Sequence, residues 1–220
     1  MTDGALIDVS VPLRPGTPEW PGDTPYACGW TWAIADGASV NVSAISMSPH
    51  VGTHADAPLH VRDGWPGSDA LPLAAFVGAC AVVDVPGVAR ELELDELTAH
   101  AREAGVGLDD VTRLLLRTGR TIAAGVFPVD WPWLSPTCVR ALAARGLVLL
   151  GVDAPSVDAR ESKTLETNHA LFDAGAFNVE NLDLRAAAAG HYELLAAPLR
   201  IVGLDAAPLR ALLRPALGPR

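Results

Sequence analysis

Three of the six histidines of this chain and one carboxylate lie within eleven residues, from His50 to His60. Residues 48–60 read Ser-Pro-His-Val-Gly-Thr-His-Ala-Asp-Ala-Pro-Leu-His. Imidazole and carboxylate groups are the usual protein ligands of zinc and of similar divalent ions. The first chemistry that the sequence indicates is therefore metal binding, with an ion that makes water reactive toward a small carbonyl compound.

The spacing of these side chains decides how the segment must fold. On an α-helix, with about 100° between successive residues, Asp56 would face away from His50. In an extended chain the histidines and the aspartate are even numbers of residues apart and share one side, but a straight strand would separate His50 from His60 by about 33 Å. The segment must therefore curl, and Gly52 and Pro58 are the expected bends.

The curl gives each of the four groups an expected role. We expect His50, His54 and Asp56 to be metal ligands, and His60 to be displaced enough to act as an acid or base beside the ion. The alternative is a set of buried, hydrogen-bonded histidines near the end of a strand. Three histidines at this spacing with an aspartate among them favour the metal site.

The elements around this segment are expected to hold it in place. Residues 40–47 alternate apolar and polar side chains, which predicts a strand with one buried face that leads into the histidines. Further strands are predicted at residues 6–11, 79–85, 111–117, 147–152, 177–184, 192–199 and 200–204, and helices at 95–104, 136–144, 168–174 and, as a helix or turn, 207–213. Strands outnumber the short helices, so we predict a mixed α/β fold and a single domain over residues 1–220.

Composition and charge exclude several classes of function. Half of the 220 residues are apolar, which excludes a disordered chain. The net charge of −10 and the pI near 4.9 argue against nucleic acid or an anionic membrane as a partner. The N-terminus lacks the pattern of a signal peptide, and the three cysteines fit neither a disulfide framework nor a zinc site, so we expect a cytoplasmic protein.

Two side chains outside the histidine segment are further candidates. Trp20 lies in a loop rich in proline and glycine, where it is either a wall for an aromatic ligand or a plug at the edge of the core. Glu180 lies in an alternating strand, where a buried acid needs a partner or a metal ion. Residue type and spacing leave both alternatives open.

These motifs together resemble the cyclase family of metal-dependent hydrolases, and within it the arylformamidase branch. The pattern His-x-Gly-Thr-His-x-Asp-x-Pro-x-His at residues 50–60 is similar to the signature of the wider family. Trp-Pro-Gly-Asp-Thr at 20–24 and Glu-Ser-Lys-Thr at 161–164 resemble the formamidase branch. The resemblance implies a swivelling β/β/α domain, a homodimer, two zinc ions per chain with manganese as an alternative, and hydrolysis of N-formyl-L-kynurenine to L-kynurenine and formate in tryptophan catabolism.

The resemblance also implies a role for individual residues. It makes metal ligands of His50, His54, Asp56 and Glu180, a proton donor and acceptor of His60, and a substrate contact of Trp20. One position departs from the pattern, since the family has a histidine twelve residues before the glutamate, where this chain has Asn168. Either the neighbouring His169 reaches the metal by a local shift in register, or the second metal is weak or absent, because asparagine is a poor zinc ligand.

Two other functions stay open at this point. One is a hydrolase of the same family that acts on another small cyclic amide or ester, such as an isatin-like compound, with a single zinc or manganese ion. The other is a metal- or ligand-binding protein that kept the fold and lost catalysis, which Asn168 favours. Turnover of formylkynurenine beside a cyclic amide separates the two enzymes, and the number of bound ions tests the altered site.

Overall fold

The computed structural model describes residues 5–87 and 89–216. Within these residues the chain forms short strands in four sheets, together with a few short helices. The strands are β1 (Ile7–Asp8), β2 (Ala27–Trp32), β3 (Val42–Ser46), β4 (His54–Asp56), β5 (Val77–Asp84), β6 (Glu91–Leu92), β7 (Arg113–Arg117), β8 (Trp133–Leu134), β9 (Leu149–Val152), β10 (Phe177–Val179), β11 (Gly190–Leu195), β12 (Ala206–Pro208) and β13 (Leu212–Pro215). The helices are α1 (Leu73–Phe76), α2 (Leu94–Glu103), α3 (Pro136–Ala144) and α4 (Glu166–Asp173).

The largest sheet has seven strands in the order β1-β13-β11-β5-β7-β9-β10. The half from β5 to β10 is parallel, whereas β11, β13 and β1 run antiparallel to their neighbours. Parallel strands need crossover connections, and α2, α3 and α4 lie in the three connections between β5, β7, β9 and β10. The sheet is therefore mixed and its helices are short, which confirms the predicted α/β fold class.

The central strands are buried on both faces, as their apolar sequences predict. Leu114 and Leu116 belong to the hydrophobic cluster that includes residues of α2, α3 and α4, whereas Leu115 between them belongs to the cluster on the opposite face. Gly151 in β9 leaves no space for a side chain, since an added Cβ would lie 2.3 Å from Leu115 Cδ2. The sheet is thus a close-packed base for the loops at its edge.

The predicted helices α2 and α3 form close to their expected positions. The Ser135 hydroxyl accepts a hydrogen bond from the Cys138 N–H at 3.0 Å, so it caps α3 as the Ser-Pro pair indicates. In the two ranges that the structure covers, no helix combines the length and the hydropathy that a membrane span requires.

Three predicted elements are wrong in part. Residues 40–47 contain a strand, β3, but it is exposed on both faces because it pairs only with β2 in a two-stranded ribbon. Residues 200–204 form no strand, and residues 207–213 contain no helix but parts of β12 and β13. Both strands form by pairing with distant parts of the chain, β12 with β4 and β13 with β1 and β11. A local pattern carries no information about such pairing.

One short strand, β4, brings the candidate residues to the sheet. It pairs antiparallel with β12 on one side. On the other side the His54 N–H donates to the Glu180 carbonyl at 3.3 Å, and the Glu180 N–H donates to the His54 carbonyl at 3.0 Å. Glu180 directly follows β10, so the site lies at the carboxyl end of a parallel strand, where α/β folds place ligands.

Candidate metal centre and active site

The segment from His50 to His60 curls through two bends. Gly52 has a φ of 75°, and an added Cβ would lie 2.5 Å from Leu13 Cδ2, so this bend requires glycine. Pro58 begins a 3-10 turn that ends at His60. As a result the His50 and His60 rings have centroids only 4.5 Å apart, rather than the separation of about 33 Å that a straight strand would give.

Three donor atoms in this curl form a nearly equilateral triangle. His50 Nδ1 lies 3.1 Å from His54 Nε2, and Asp56 Oδ1 lies 3.2 Å from each of them. Tetrahedral coordination with bonds of 2.0–2.1 Å places neighbouring donors about 3.3 Å apart. A fourth donor, Glu180 Oε2, lies 3.6 Å from His54 Nε2. The three atoms of the triangle are therefore spaced like the ligands of a single divalent cation, and Glu180 brings a donor atom within 4.8 Å of those of His54 and Asp56.

The hydrogen bonds around the triangle support the same conclusion. Asp56 Oδ1 is buried and has no hydrogen-bond partner among the described residues. The far nitrogens of both imidazoles are anchored, since His54 Nδ1 lies 2.9 Å from the Gly52 carbonyl and His50 Nε2 lies 2.9 Å from Asp205 Oδ2. Such contacts fix the ring orientation and the tautomer of metal-bound histidines. Buried core histidines would not require an unpaired carboxylate oxygen beside them.

The electrostatics of the cluster favour bound positive charge. Burial and the charge of Asp56 raise the pKa of Glu180 well above its ordinary value. Burial acts to lower the pKa of His50, but the hydrogen bond to Asp205 and the negative charge of Asp56 outweigh it and raise this pKa to about 10. A site that stabilises a proton on an imidazole this strongly also attracts a divalent ion, whose binding releases the proton.

His60 lies beside the triangle and faces the same space. Its Nδ1 lies 3.3 Å from Asp205 Oδ2, which leaves Nε2 to meet a substrate. Burial acts to lower the pKa of His60, but the charge of Asp56 and the hydrogen bond to Asp205 raise it above the ordinary value. His50, Asp56 and His60 also bring one donor atom each within 4.8 Å of one another, so His60 is close enough to be a ligand as well.

The structure places His169 away from the triangle. Its Nδ1 lies 3.4 Å from Arg62 Nη2, whereas the preceding residue of α4, Asn168, is fully buried. Side chains of successive residues in a helix point about 100° apart, so His169 cannot point in the same direction as Asn168. Among the described residues His169 belongs to neither group of close donor atoms, and a register shift that would bring it to the metal stays a prediction. The ligand roles of His50, His54, Asp56 and Glu180, which the structure does bring together, stay predictions.

Sequence reasoning missed two polar residues of the cluster. Asp205, 155 residues beyond His50, reaches the histidines because β12 pairs with β4, and no local pattern indicated it. Asn178 donates its amide to Asp56 Oδ2 at 2.8 Å. A signal for Asn178 was present, because it lies two residues before Glu180 in an alternating segment and therefore faces the same side.

Replacement of Asp205 by asparagine is expected to weaken metal binding by about 10- to 100-fold, as loss of such partners of ligand histidines does elsewhere. The substitution keeps the volume but removes the charge that orients His50. Titration of the metal-free variant with Zn²⁺ in a calorimeter measures the effect. Asp69→Asn is the matched control, since Asp69 accepts the Gly203 N–H in the neighbouring loop. Equal affinities of wild type and Asp205→Asn would contradict the role of Asp205.

A cavity of about 290 Å³ opens onto the cluster, and His50, His54, His60 and Glu180 lie in its wall together with Trp20, Phe127 and Leu165. Trp20 is 40% exposed. The edge of its ring packs against Phe127 and the buried Trp131, at centroid distances of 5.5 and 5.9 Å. Trp20 therefore lines the cavity and is held in place by Phe127 and Trp131, rather than filling a gap at the edge of the core.

Two non-glycine residues of the described chain have positive φ, and both line this cavity. They are Leu165, with a φ of 48°, and Asn181, with a φ of 56°. Such conformations cost of the order of 1–3 kcal/mol and persist where the surrounding structure holds them, often at functional sites. Asparagine tolerates this region, but nothing in the sequence around Leu165 indicated it.

Comparison with known proteins gives three kinds of match. The family model described as "Cyclase" matches residues 7–159. A protein named kynurenine formamidase from Bordetella petrii is 41% identical over 209 residues, which cover 95% of this chain and 97% of that protein. A protein of the same name from Salinibacter ruber is 43% identical over 227 residues, covering 98% of this chain and all of that protein.

Solved structures give the same picture. A structure described as a potential metal-dependent hydrolase with cyclase activity superimposes with a TM-score of 0.78 at 28% identity, covering 95% of this chain and 96% of that one. Isatin hydrolase A from Labrenzia aggregata, bound to benzyl benzoate, superimposes with a TM-score of 0.76 at 26% identity, covering 95% and 93%. The likeness thus extends over nearly the whole described chain.

Proposed function

The chain belongs to the cyclase family, and on that premise we propose that it is a metal-dependent amide hydrolase that converts N-formyl-L-kynurenine to L-kynurenine and formate. The observation that carries the proposal is the triangle of His50, His54 and Asp56, whose two imidazoles line a cavity with aromatic side chains. The relatives named kynurenine formamidase, at 41% and 43% identity, support the choice of substrate.

We propose zinc as the ion, with manganese as the alternative. The triangle of His50, His54 and Asp56 would hold it, and Glu180, beside His54, would add a second carboxylate. Two imidazoles and two carboxylates are a donor set that suits both metals. A magnesium site would carry oxygen ligands and waters instead.

The reaction needs a nucleophile, a polarised carbonyl and a proton for the leaving amine. A bound divalent ion supplies the Lewis acid and lowers the pKa of a water to near neutrality. His60 Nε2 first accepts a proton from the attacking water and then gives it to the nitrogen of the leaving arylamine. Because Asp205 holds Nδ1 of the same ring, the transferred proton is bound at Nε2, on the side where the cavity admits the substrate.

The aromatic part of the substrate is proposed to lie against Trp20 and Phe127. Their rings meet edge to face at 5.5 Å, and Trp20 has 40% of its surface exposed toward solvent and cavity. An aniline ring placed there would have its formamide group directed at the histidine cluster. The cavity, at about 290 Å³, is near the lower end of the range for small-ligand sites, about 300–1,000 Å³.

The decisive experiment measures turnover of N-formyl-L-kynurenine by metal-loaded protein, with isatin as the competing substrate. We expect kcat/KM for formylkynurenine to exceed that for isatin by more than about tenfold, or about 1.4 kcal/mol of transition-state stabilisation. The likeness to isatin hydrolase A makes a cyclic amide the second candidate substrate. A higher kcat/KM for isatin than for formylkynurenine would favour that candidate. Absence of turnover on both substrates by protein that holds its metal would indicate a binding protein.

We also propose that two copies of the chain associate through the ribbon of β2 and β3. Its strands contain no charged residue, and Trp30, Trp32 and Ile45 are 66%, 60% and 64% exposed. A two-stranded ribbon alone is marginally stable, so it needs a partner surface. Beside it runs a groove of about 810 Å³ lined mainly by aliphatic side chains, among them Leu199 and Ile201.

The areas fit a second copy as the occupant of this surface. The two tryptophans together expose roughly 300 Å², whereas a stable interface buries about 800 Å² on each partner. The ribbon therefore supplies a large part of such an interface and the groove the remainder. Because both belong to the same chain, a symmetric pair covers both at once.

Light scattering during gel filtration is expected to give twice the monomer mass of 22.9 kDa for the wild type and a monomer for Ile45→Glu. The glutamate would bring an unpaired charge into the apolar interface. Val129→Glu is the control, since Val129 is 73% exposed on the loop before β8 and the variant should remain a dimer. A wild-type monomer at micromolar concentration would rule out the dimer.

We propose the cytoplasm as the compartment. Cys28, Cys80 and Cys138 are free thiols in this structure, and burial raises the pKa of Cys80 and of Cys138 to about 12. Free thiols suit a reducing compartment. Localisation of the tagged chain in cell fractions tests this.

A further inference from the structure

A buried amide, that of Asn178, lies behind the candidate metal centre. The residue is fully buried. Its Oδ1 accepts the Asp56 N–H at 3.0 Å, and its Nδ2 lies 2.8 Å from Asp56 Oδ2. The same nitrogen lies 3.0 Å from Asn168 Oδ1 and 3.3 Å from Glu180 Oε1. One side chain thus contacts both acidic residues of the centre and the buried amide of Asn168.

Hydrogen bonds link the side-chain amides of Asn178 and Asn168 in series, and the groups at the two ends of this series fix the orientation of both amides. At one end Asn168 Nδ2 donates to Asp158 Oδ2 at 3.0 Å. At the other end the Asp56 N–H requires an acceptor. An ionised carboxylate only accepts and a backbone N–H only donates, so each asparagine has one allowed assignment of oxygen and nitrogen. The NH₂ group of Asn178 therefore faces the carboxylates.

This arrangement divides the oxygens of the two acids into two sets. Asp56 Oδ2 accepts from Asn178, and Glu180 Oε1 accepts from the Val157 N–H at 2.9 Å. The other two oxygens, Asp56 Oδ1 and Glu180 Oε2, lie 3.2 and 3.6 Å from His54 Nε2. Each carboxylate therefore offers one free oxygen, and both free oxygens face the same donor triangle.

We propose that Asn178 is a positioning residue that takes the place of a second cation, so that this chain binds one divalent ion rather than two. An ion on the Asn178 side would need oxygens that are already hydrogen-bonded, and it would approach amide hydrogens that carry positive partial charge. The same amide holds Asp56 and Glu180 together although their charges repel each other. This inference rests on the proposed metal centre but not on the proposed substrate.

The first test is the number of ions per chain. Metal-free protein is titrated with Zn²⁺ in a calorimeter, and its metal content is measured by elemental analysis after gel filtration. We expect one ion per chain. Two tightly bound ions would overturn the inference, and none would overturn the proposed centre with it. One ion without hydrolysis of N-formyl-L-kynurenine would leave the inference intact and reject only the substrate.

Two variants test the role of Asn178 itself. Asn178→Leu keeps a similar size but neither donates nor accepts, so the dissociation constant for Zn²⁺ is expected to rise by about 10- to 100-fold. Thr121→Val is the control for loss of a buried hydrogen bond, since its hydroxyl donates to the Leu182 carbonyl at 3.3 Å. The control should keep its affinity within about twofold, even where its melting temperature falls. Equal affinities of wild type and Asn178→Leu would refute the positioning role.

Asn178→Asp tests whether the amide of Asn178 excludes a second ion. It also provides a test of Asn178 if the Asn178→Leu variant does not fold. Aspartate is isosteric with asparagine, but it replaces the donating NH₂ by an accepting oxygen, and it adds a third carboxylate beside Asp56 and Glu180. We expect this variant to bind two Zn²⁺ ions per chain. A stoichiometry that stays at one would show that something other than the amide excludes the second ion.

Discussion

Removal of the divalent ion is expected to lower hydrolysis of N-formyl-L-kynurenine by at least about 10³-fold, because the ion would polarise the formamide carbonyl and bring the pKa of the attacking water to near 7. Zn²⁺ or Mn²⁺ should restore activity after dialysis against a chelator. Mg²⁺ should not, since it prefers oxygen ligands to the imidazoles of His50 and His54. Release of kynurenine, followed by absorbance or chromatography, measures the result.

The same experiment has a structural readout. An ion that binds only the folded chain at 100 times its dissociation constant stabilises it by about 2.7 kcal/mol. Asp56 and Glu180 are 1% and 4% exposed, so the ion also compensates two buried carboxylates. The melting temperature should therefore rise when Zn²⁺ is added to metal-free protein. Full activity in protein that elemental analysis finds free of metal would disprove the proposed chemistry.

Replacement of His60 by alanine is expected to lower kcat by about 10²- to 10⁴-fold, the usual contribution of a general acid or base. Bound metal should remain near the wild-type amount, because the triangle and Glu180 are intact in this variant. Steady-state kinetics with N-formyl-L-kynurenine and elemental analysis of the same sample measure the two quantities. The effect should appear in kcat more than in KM, since the proton is needed in the transition state.

His191→Ala is the matched control for this variant. His191 is exposed in β11, and among the described residues it neither joins the groups of close donor atoms nor lines the cavity, so its loss should leave kcat within about twofold. If His60→Ala loses its metal, His60 is a ligand rather than the acid, which its donor distance to His50 and Asp56 allows. If it keeps both metal and full turnover, another group carries the proton.

The sequence predicted the elements whose causes are local. The buried strands β5, β7 and β9 and the helices α2 and α3 follow from apolar composition, helical spacing and the Ser135 cap. The exposure of β3 did not follow, because an alternating pattern shows which side chains share a face but not whether another layer covers that face. The terminal strands β12 and β13 form through partners far away in the chain.

The same division holds within the candidate site. The sequence by itself determined that His50, His54 and Asp56 can meet, because their even spacing and the bends at Gly52 and Pro58 are properties of one short segment. Only the tertiary structure decided what surrounds them. Asp205 and Asn178 come from 155 and 122 residues away, and backbone pairing of β4 with β12 and with Glu180 brings them in. Which carboxylate oxygens stay free for an ion depends on those distant donors, and that choice is therefore made by packing rather than by sequence pattern.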